Sequence, residues 1–150
     1  MNQHFVDIRP LNETDLNEWL RLRKILWDRT PEDEHQAEMV DIVEHPDSQQ
    51  VFVAEHEGRL VGFLEASIRP FVEDCVSDNV GYLEGWFVEA DFRNQGIGRE
   101  LVASAENWAR QKGLTEMASD AEIGNETSLA AHRSLGYAET SRLVHLRKEI

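Results

Sequence analysis

Two glycines and two arginines stand together in Arg93-Asn94-Gln95-Gly96-Ile97-Gly98-Arg99, between an apolar run that ends at Val88 and a helical stripe that begins at Ile97. Glycine has no Cβ, so the backbone can approach a ligand closely there, and the N–H groups of a first helical turn have no partner within the helix. With the helix dipole behind them and Arg99 beside them, such amides make an anion site whose natural guest is a diphosphate. A P-loop would need Lys-Ser/Thr after its second glycine. The dinucleotide fingerprint would need Gly or Ala where this chain has Leu101, so neither pattern fits. The same glycines also suit a tight strand-to-helix turn with no ligand.

A second kind of chemistry rests on acids. Glu84 interrupts the otherwise apolar run Tyr82-Leu83-Glu84-Gly85-Trp86-Phe87-Val88. A carboxylate in such a run is costly without a partner and is more often functional than decorative. Asp120 follows the short run Met117 to Ser119, where it either faces a ligand or caps a turn. Glu65 and Glu139 read as solvent-facing strand residues. His132 can donate a proton near neutral pH or simply pack. Cys75 is the lone cysteine, without a partner for a disulfide or a metal, and no metal site is expected.

Fifteen Lys and Arg against 29 Asp and Glu give a formal charge of −14. That balance argues against nucleic acid and anionic membranes and favours cationic partners. Acids from Glu13 to Asp47, among them Glu32, Asp33, Glu34, Glu38 and Asp41, form either a solvated face or a rim that attracts cations. The length fits one domain over residues 1–150. No apolar stretch is long enough to span a bilayer, and the start lacks the pattern of a signal peptide, so a cytoplasmic protein is expected.

These residues need elements to position them. Alternation predicts a strand over His4 to Arg9. Helical spacing follows an N-cap at Asn12 or Thr14, and a second helix is capped by Thr30 before Pro31 and stops before Pro46. Gln50 to His56 and Leu60 to Arg69 flank Glu57-Gly58-Arg59 as a hairpin, and Val80 to Val88 is a further strand. A helix over Ile97 to Lys112 ends at Gly113, a strand covers Leu114 to Ser119, and a helix over Glu126 to Leu135 closes at Gly136. Tyr137 to Leu146 reads as a final strand. Hairpin-linked strands followed by a β-α-β unit imply an α/β fold with a mixed sheet and helices on its faces.

Arg93-x-x-Gly96-x-Gly98 resembles the pyrophosphate-binding motif of the GNAT superfamily of acyl-CoA-dependent N-acetyltransferases. Asn125-x-x-Ser128-x-x-Ala131-His132-x-x-x-Gly136-Tyr137 resembles that family's second motif, with His132 where the family pattern has tyrosine. The segments Leu22 to Trp27, Phe63 to Arg69, Tyr82 to Gly98, Glu116 to Asn125 and His132 to Tyr137 are similar to the chromosomal branch of bacterial aminoglycoside 6'-N-acetyltransferases, type I.

The resemblance implies the GNAT fold: a central mixed, mostly antiparallel sheet flanked by helices, with splayed strands forming an acetyl-CoA cleft. It implies that backbone groups of Trp86, Phe87 and Val88 pair with the pantetheine arm of acetyl-CoA. The amides of Asn94, Gln95, Gly96, Ile97, Gly98 and Arg99 would hold the pyrophosphate, with Asn125 touching the cofactor from the other side. A cationic aminoglycoside would meet Glu84 and Asp120, with Trp27 and Phe71 as apolar walls and Glu139 as a further acid. Glu84 would act as the base and His132 as a proton donor to the leaving thiolate. The rival expectations are an acetyltransferase for a polyamine or peptide amine, and an acyl-CoA-binding sensor without turnover. A homodimer is expected, formed through the last strand or through helix faces with exposed tryptophan.

Overall fold

A two-residue turn, Glu57-Gly58, with φ of 50° and 78°, folds strand β2 (Gln49–His56) back onto β3 (Arg59–Arg69). Positive φ at both positions gives the turn the twist of the strands it joins. In the computed structural model, which describes residues 4–150, this hairpin forms the middle of one five-stranded sheet. Its order is β1 (Asp7–Pro10), β2, β3, β4 (Val80–Val88), β5 (Met117–Ser119). The pairs from β1 to β4 are antiparallel, and β4 pairs with β5 in parallel.

Helices cover both faces. Between β1 and β2 the chain makes a 3-10 turn (Glu13–Asp15), then α1 (Leu16–Leu26) and α2 (Glu32–Glu44). Pro31, not Thr30, is the N-cap of α2, because the proline itself keeps an extended ψ of 151° and helical geometry begins at Glu32. On this face Trp19 and Leu22 of α1 and Met39 of α2 bury against Val51, Val53, Leu60 and Phe63. Helix α3 (Ile97–Gln111) lies on the opposite face, with Leu101, Val102, Ala105 and Trp108 against Phe52, Val61, Leu64 and Leu83. Each of the large side chains so buried contributes roughly 1.5–3 kcal/mol of transfer free energy. Helix α4 (Glu126–Ser134) follows β5.

From Tyr137 to Ile150 the chain has no regular secondary structure, although a strand was expected over Tyr137 to Leu146. Alternation supplies a strand-like pattern, but ladder hydrogen bonds need a neighbour, and this segment pairs with no strand of the sheet. Nor is tryptophan exposed on a helix face: Trp19 and Trp108 are buried, and Trp27 and Trp86 are half-buried. Among the described residues no helix is long and apolar enough to cross a membrane.

Candidate active site

Along β3 and β4 the register runs Glu65 opposite Gly85 and Ala66 opposite Leu83, so Glu84 is passed over. This is a β-bulge: one extra residue on β4 that bends the strand and re-aims side chains. Leu83, Trp86 and Val88 pack on the α3 side, whereas Phe87 packs on the α1 and α2 side. Strict alternation would have put Leu83 and Phe87 together. The bulge therefore lets Tyr82, Glu84 and Gly85 all look toward α1 and α2.

Here Glu84 finds partners that its place in an apolar run demanded. Ser67 Oγ donates to Glu84 Oε1 at 2.7 Å. Arg69 donates from Nε to Oε1 at 2.8 Å and from Nη2 to Oε2 at 2.7 Å. The Arg69 Cζ sits 3.5 Å from the centroid of the Tyr82 ring, and the Tyr82 hydroxyl donates to Asp120 Oδ2 at 2.5 Å. Burial first, then the Asp120 carboxylate, pushes the Tyr82 hydroxyl well above its ordinary value. The two acids singled out in the sequence are thus joined through Arg69 and Tyr82.

Glu84 and Trp27 line a cavity of about 550 Å³ together with Arg23, Glu38, Asp41 and Glu65. Trp27 is fixed from several sides. Arg23 Cζ lies 4.7 Å from its ring centroid, Phe63 meets it edge-on at 6.0 Å, and the His35 Nε2 lies 3.2 Å from its carbonyl oxygen. A Cβ on Gly85 would lie 2.5 Å from Trp27 Cη2, so the indole rests on the one residue type that leaves it room.

Glu65, expected to face solvent, is only 5% exposed. It accepts from Arg23 Nη1 at 2.7 and 2.6 Å and from Trp19 Nε1 at 2.9 Å, while Arg23 also binds Glu38. Burial pushes the Glu65 carboxyl up, opposed by Arg23 and Trp19. Such a pair is costly to break, because one partner is then left buried and alone. Of the acid-rich N-terminal segment, Glu38 and Asp41 reach the cavity, whereas Asp15, Glu18 and Glu32 are held by Arg9, Arg21 and Lys24.

Strand β5 pairs with β4 only at Gly81, Tyr82 and Leu83, so β4 has a free edge beyond Leu83. Which groups face that edge follows from their neighbours. Glu89 N–H donates to Val61 O at 2.8 Å and so points toward β3, and the Phe87 carbonyl lies 2.9 Å from where a Gly62 Cβ would be. Backbone groups alternate along a strand, so those of Trp86 and Val88 face the open side. Phe87 therefore does not share this role with its neighbours: its N–H and C=O belong to the β3 ladder. Arg93 Nε donates to Val88 O at 2.9 Å and ties the following loop to this edge.

At the loop's end Gly96 is the N-cap of α3 with φ 85°, and a Cβ there would meet nothing within 4 Å. Asn94 also adopts positive φ, at 60°. Gly98 has another function: its Cβ would lie 3.1 Å from Trp86 Cζ2 and 3.3 Å from Nε1, an N–H that is buried without a partner among the described residues. The open face at Gly96 and the first-turn amides of Ile97, Gly98 and Arg99 suit a diphosphate. Gln95 is engaged locally, accepting from His4 N at 3.3 Å and donating to Asp91 O at 3.2 Å.

On α4, Asn125 Oδ1 accepts from Ser128 N at 3.1 Å, which caps the helix and leaves the amide NH2 for another contact. His132 Nδ1 lies 2.7 Å from Ser128 O, and Nε2 lies 2.8 Å from Ser119 Oγ. A carbonyl only accepts, so neutral His132 carries its proton on Nδ1 and accepts the Ser119 hydroxyl at Nε2. Its ring meets Trp86 edge-on at 5.2 Å. Phe71 stands exposed two residues after Arg69. Glu139 lies apart from the cavity lining, paired with Arg142 at 2.5 Å and Arg133 at 3.7 Å.

Arg69, Ser67, Tyr82 and Arg23 were not foreseen at the site, whereas Glu38 and Asp41 belonged to the acid-rich segment read as a solvated face or a cation-attracting rim. One signal was present: Glu65, Ser67 and Arg69 alternate along β3, a polar row on a strand whose other face is apolar.

Residues 19–137 match the acetyltransferase (GNAT) family model. An aminoglycoside N(6')-acetyltransferase type 1 from Klebsiella aerogenes is 41% identical, covering 95% of this chain and 96% of that protein. The enzyme of the same name from Acinetobacter baumannii is 38% identical, covering 97% and 99%. Among solved structures, AAC(6')-Iy in complex with the bisubstrate analogue CoA-S-monomethyl-acetylneamine superposes with a TM-score of 0.92 at 40% identity, over 97% of this chain and 99% of that one. Glucosamine-6-phosphate N-acetyltransferase from Arabidopsis thaliana shares the fold at a TM-score of 0.75 and 18% identity. The bulged and splayed strand, the glycine turn opening α3 and this likeness along nearly the whole chain agree: the protein belongs to the acetyltransferase (GNAT) family.

Proposed function

We propose that the protein transfers an acetyl group from acetyl-CoA to the 6'-amine of an aminoglycoside antibiotic and so confers resistance to it. The observation that carries this reading is Glu84, presented by a bulge at the wall of an acid-lined cavity where β4 parts from β5. Its closely similar relatives bear the name of that activity. Acetyl-CoA, when bound, supplies an acetyl thioester. Trp86 holds its pantetheine arm through free backbone groups, and Val88 adds its N–H at the thioester end, its carbonyl being taken by Arg93 Nε. The amides from Gly96 to Arg99 and the Asn94 and Gln95 loop hold its pyrophosphate, and the Asn125 amide touches it from α4.

An alkyl ammonium with a pKa near about 10 is almost wholly protonated at neutral pH and cannot attack a carbonyl. Glu84 accepts that proton, directly or through one water, and leaves a lone pair on nitrogen. The Val88 N–H meets the negative charge on the carbonyl oxygen as the carbon–nitrogen bond forms, and as the carbon–sulfur bond breaks the nitrogen gives up its second proton to solvent. His132 protonated at both nitrogens is the proton source for the departing sulfur: its Nε2–H then donates to Ser119 Oγ, and the Ser119 hydroxyl passes its own proton to the sulfur. Trp27 and Phe71 form the apolar walls, and Asp120, with Glu38 and Asp41, anchors the remaining ammonium groups. Glu139 stays outside this set unless the C-terminal segment moves toward the cavity.

The enzyme works in the cytoplasm, where acetyl-CoA is available, and as a homodimer. The dimer is supported by the exposed side chains of Leu143, Val144 and Leu146 in a strand-like segment without a partner strand. Sedimentation of the full chain measures this, and a monomer would withdraw it. The activity is tested by following thiol release from acetyl-CoA with kanamycin, which has a 6'-amine, beside paromomycin, which has a hydroxyl there. Release with kanamycin alone is expected. Silence with both, or equal release with both, would overturn the reading.

A further inference from the structure

Arg69 already occupies the seat that the proposed substrate needs. Its guanidinium spans both oxygens of Glu84 at 2.7–2.8 Å and lies on the Tyr82 ring at 3.5 Å, an aromatic face beside a carboxylate that would equally suit an incoming ammonium. Arginine stays protonated throughout the accessible pH range, so only another cation can take its place at Glu84. The pair is well formed but open to water, with side chains 42% and 32% exposed. Exposed pairs of this kind hold weakly enough to be exchanged. Arg69 ends β3 and is followed by the exposed Pro70 and Phe71, so its side chain has solvent to move into. Ser67 Oγ keeps a separate hydrogen bond to Glu84 Oε1 that survives the exchange and holds the carboxylate in place.

We infer that Arg69 is a specificity-determining residue, a built-in competing cation that sets the charge a substrate must carry to reach Glu84. This rests on the reading of Glu84 as the acid that receives the reacting amine. A ligand with one ammonium gains at Glu84 about what it removes there, and its net binding is close to nothing. A polycation makes the same exchange but also meets Asp41 and the exposed side of Glu38 in the cavity lining, with Asp120 beside Tyr82 next to Glu84, and binds on that surplus. The site thereby excludes the abundant singly charged amines without any steric filter.

The test measures Kd by calorimetry and KM by thiol release for kanamycin and for 6-amino-6-deoxyglucose, a singly charged analogue, in wild type, R69Q, R69K, E84Q and the R69Q/E84Q double variant. R69Q is expected to tighten both ligands by roughly fivefold and to bring the monoamine into a measurable range. R69K, which keeps the charge but loses the paired hydrogen bonds, shifts the same way by less. With Glu84 neutral, R69Q changes Kd by less than about twofold, because there is no pair left to release. A residue that merely supports the fold would weaken binding when replaced. Unchanged or raised Kd for both ligands in R69Q and R69K, or tightening that persists in the E84Q background, would therefore overturn the inference. Wild-type kcat in E84Q would instead overturn the reading of Glu84, and the two failures are separable.

Discussion

Glu84 and Gly85 are neighbours in sequence yet look toward the same face of the sheet, because the pairing of β3 with β4 passes over Glu84. One residue brings the carboxylate to the cavity and the other makes room for the indole of Trp27 that walls it. The bulge thus builds two parts of the acceptor site at once.

Glu84→Gln keeps the shape and loses the proton acceptor. Its kcat should fall by about 10²–10⁴ while acetyl-CoA affinity stays within twofold. Stopped-flow or steady-state thiol release beside calorimetry of acetyl-CoA checks both, and an unchanged kcat would remove Glu84 from the base role.

Gly85→Ala places a methyl group where Trp27 Cη2 and Cζ2 come within 2.5 and 2.7 Å, so the ring must leave its seat. Overpacking of this kind costs about 1–3 kcal/mol, read as a lower urea midpoint. The amine KM should rise several-fold with the acetyl-CoA Kd unchanged. If both constants stayed at wild-type values in a folded variant, Trp27 would not be a wall of the acceptor site.

Gly96→Val forces a branched side chain into φ 85°, a conformation that glycine adopts freely and valine resists. Loss of roughly 1–3 kcal/mol of stability is expected, with weakened acetyl-CoA binding and little change at the amine site. Calorimetry on the folded variant decides: wild-type affinity would detach the cofactor from this turn.

Asp15 sits under Arg9, which donates from Nη1 at 2.7 Å and from Nη2 at 3.0 Å. Arg9 foremost, helped by the Asn12 N–H and opposed by burial, holds the Asp15 carboxyl below its ordinary 3.8. A carboxyl lower in the folded than the unfolded state stabilises above the unfolded value, and that stability is lost as pH falls through the folded one. Asp15→Asn should therefore cost about 2 kcal/mol near pH 6, and the gap to wild type should narrow progressively as pH falls below the ordinary carboxyl value of 3.8. Urea midpoints across pH 3 to 6 measure it, and a gap independent of pH would assign the loss to packing.

Much of the fold was legible because its signals are local. The strand Val80–Val88 was bounded by its own composition, the hairpin by Glu57-Gly58, and the ends of α3 and α4 by glycines at positive φ, Gly113 and Gly136. Glu84 stood out because a charge in an apolar run demands a partner, and the turn at Gly96 because helix N-termini and glycines carry their chemistry with them.

What the chain could not reveal alone depends on pairing between distant residues. Period-two alternation contains no trace of a bulge, so the placement of Phe87 and the free edge at Trp86 and Val88 followed only from the register of β3 against β4. Glu65 resembled a surface acid until Arg23 and Trp19, some forty positions earlier, enclosed it. Tyr137 to Leu146 had the pattern of a strand and found none to join. The sequence by itself determined which groups could do chemistry and which local turns would hold them. Tertiary structure decided which charges meet, because an ion pair or a strand ladder is a property of two segments and is written in neither.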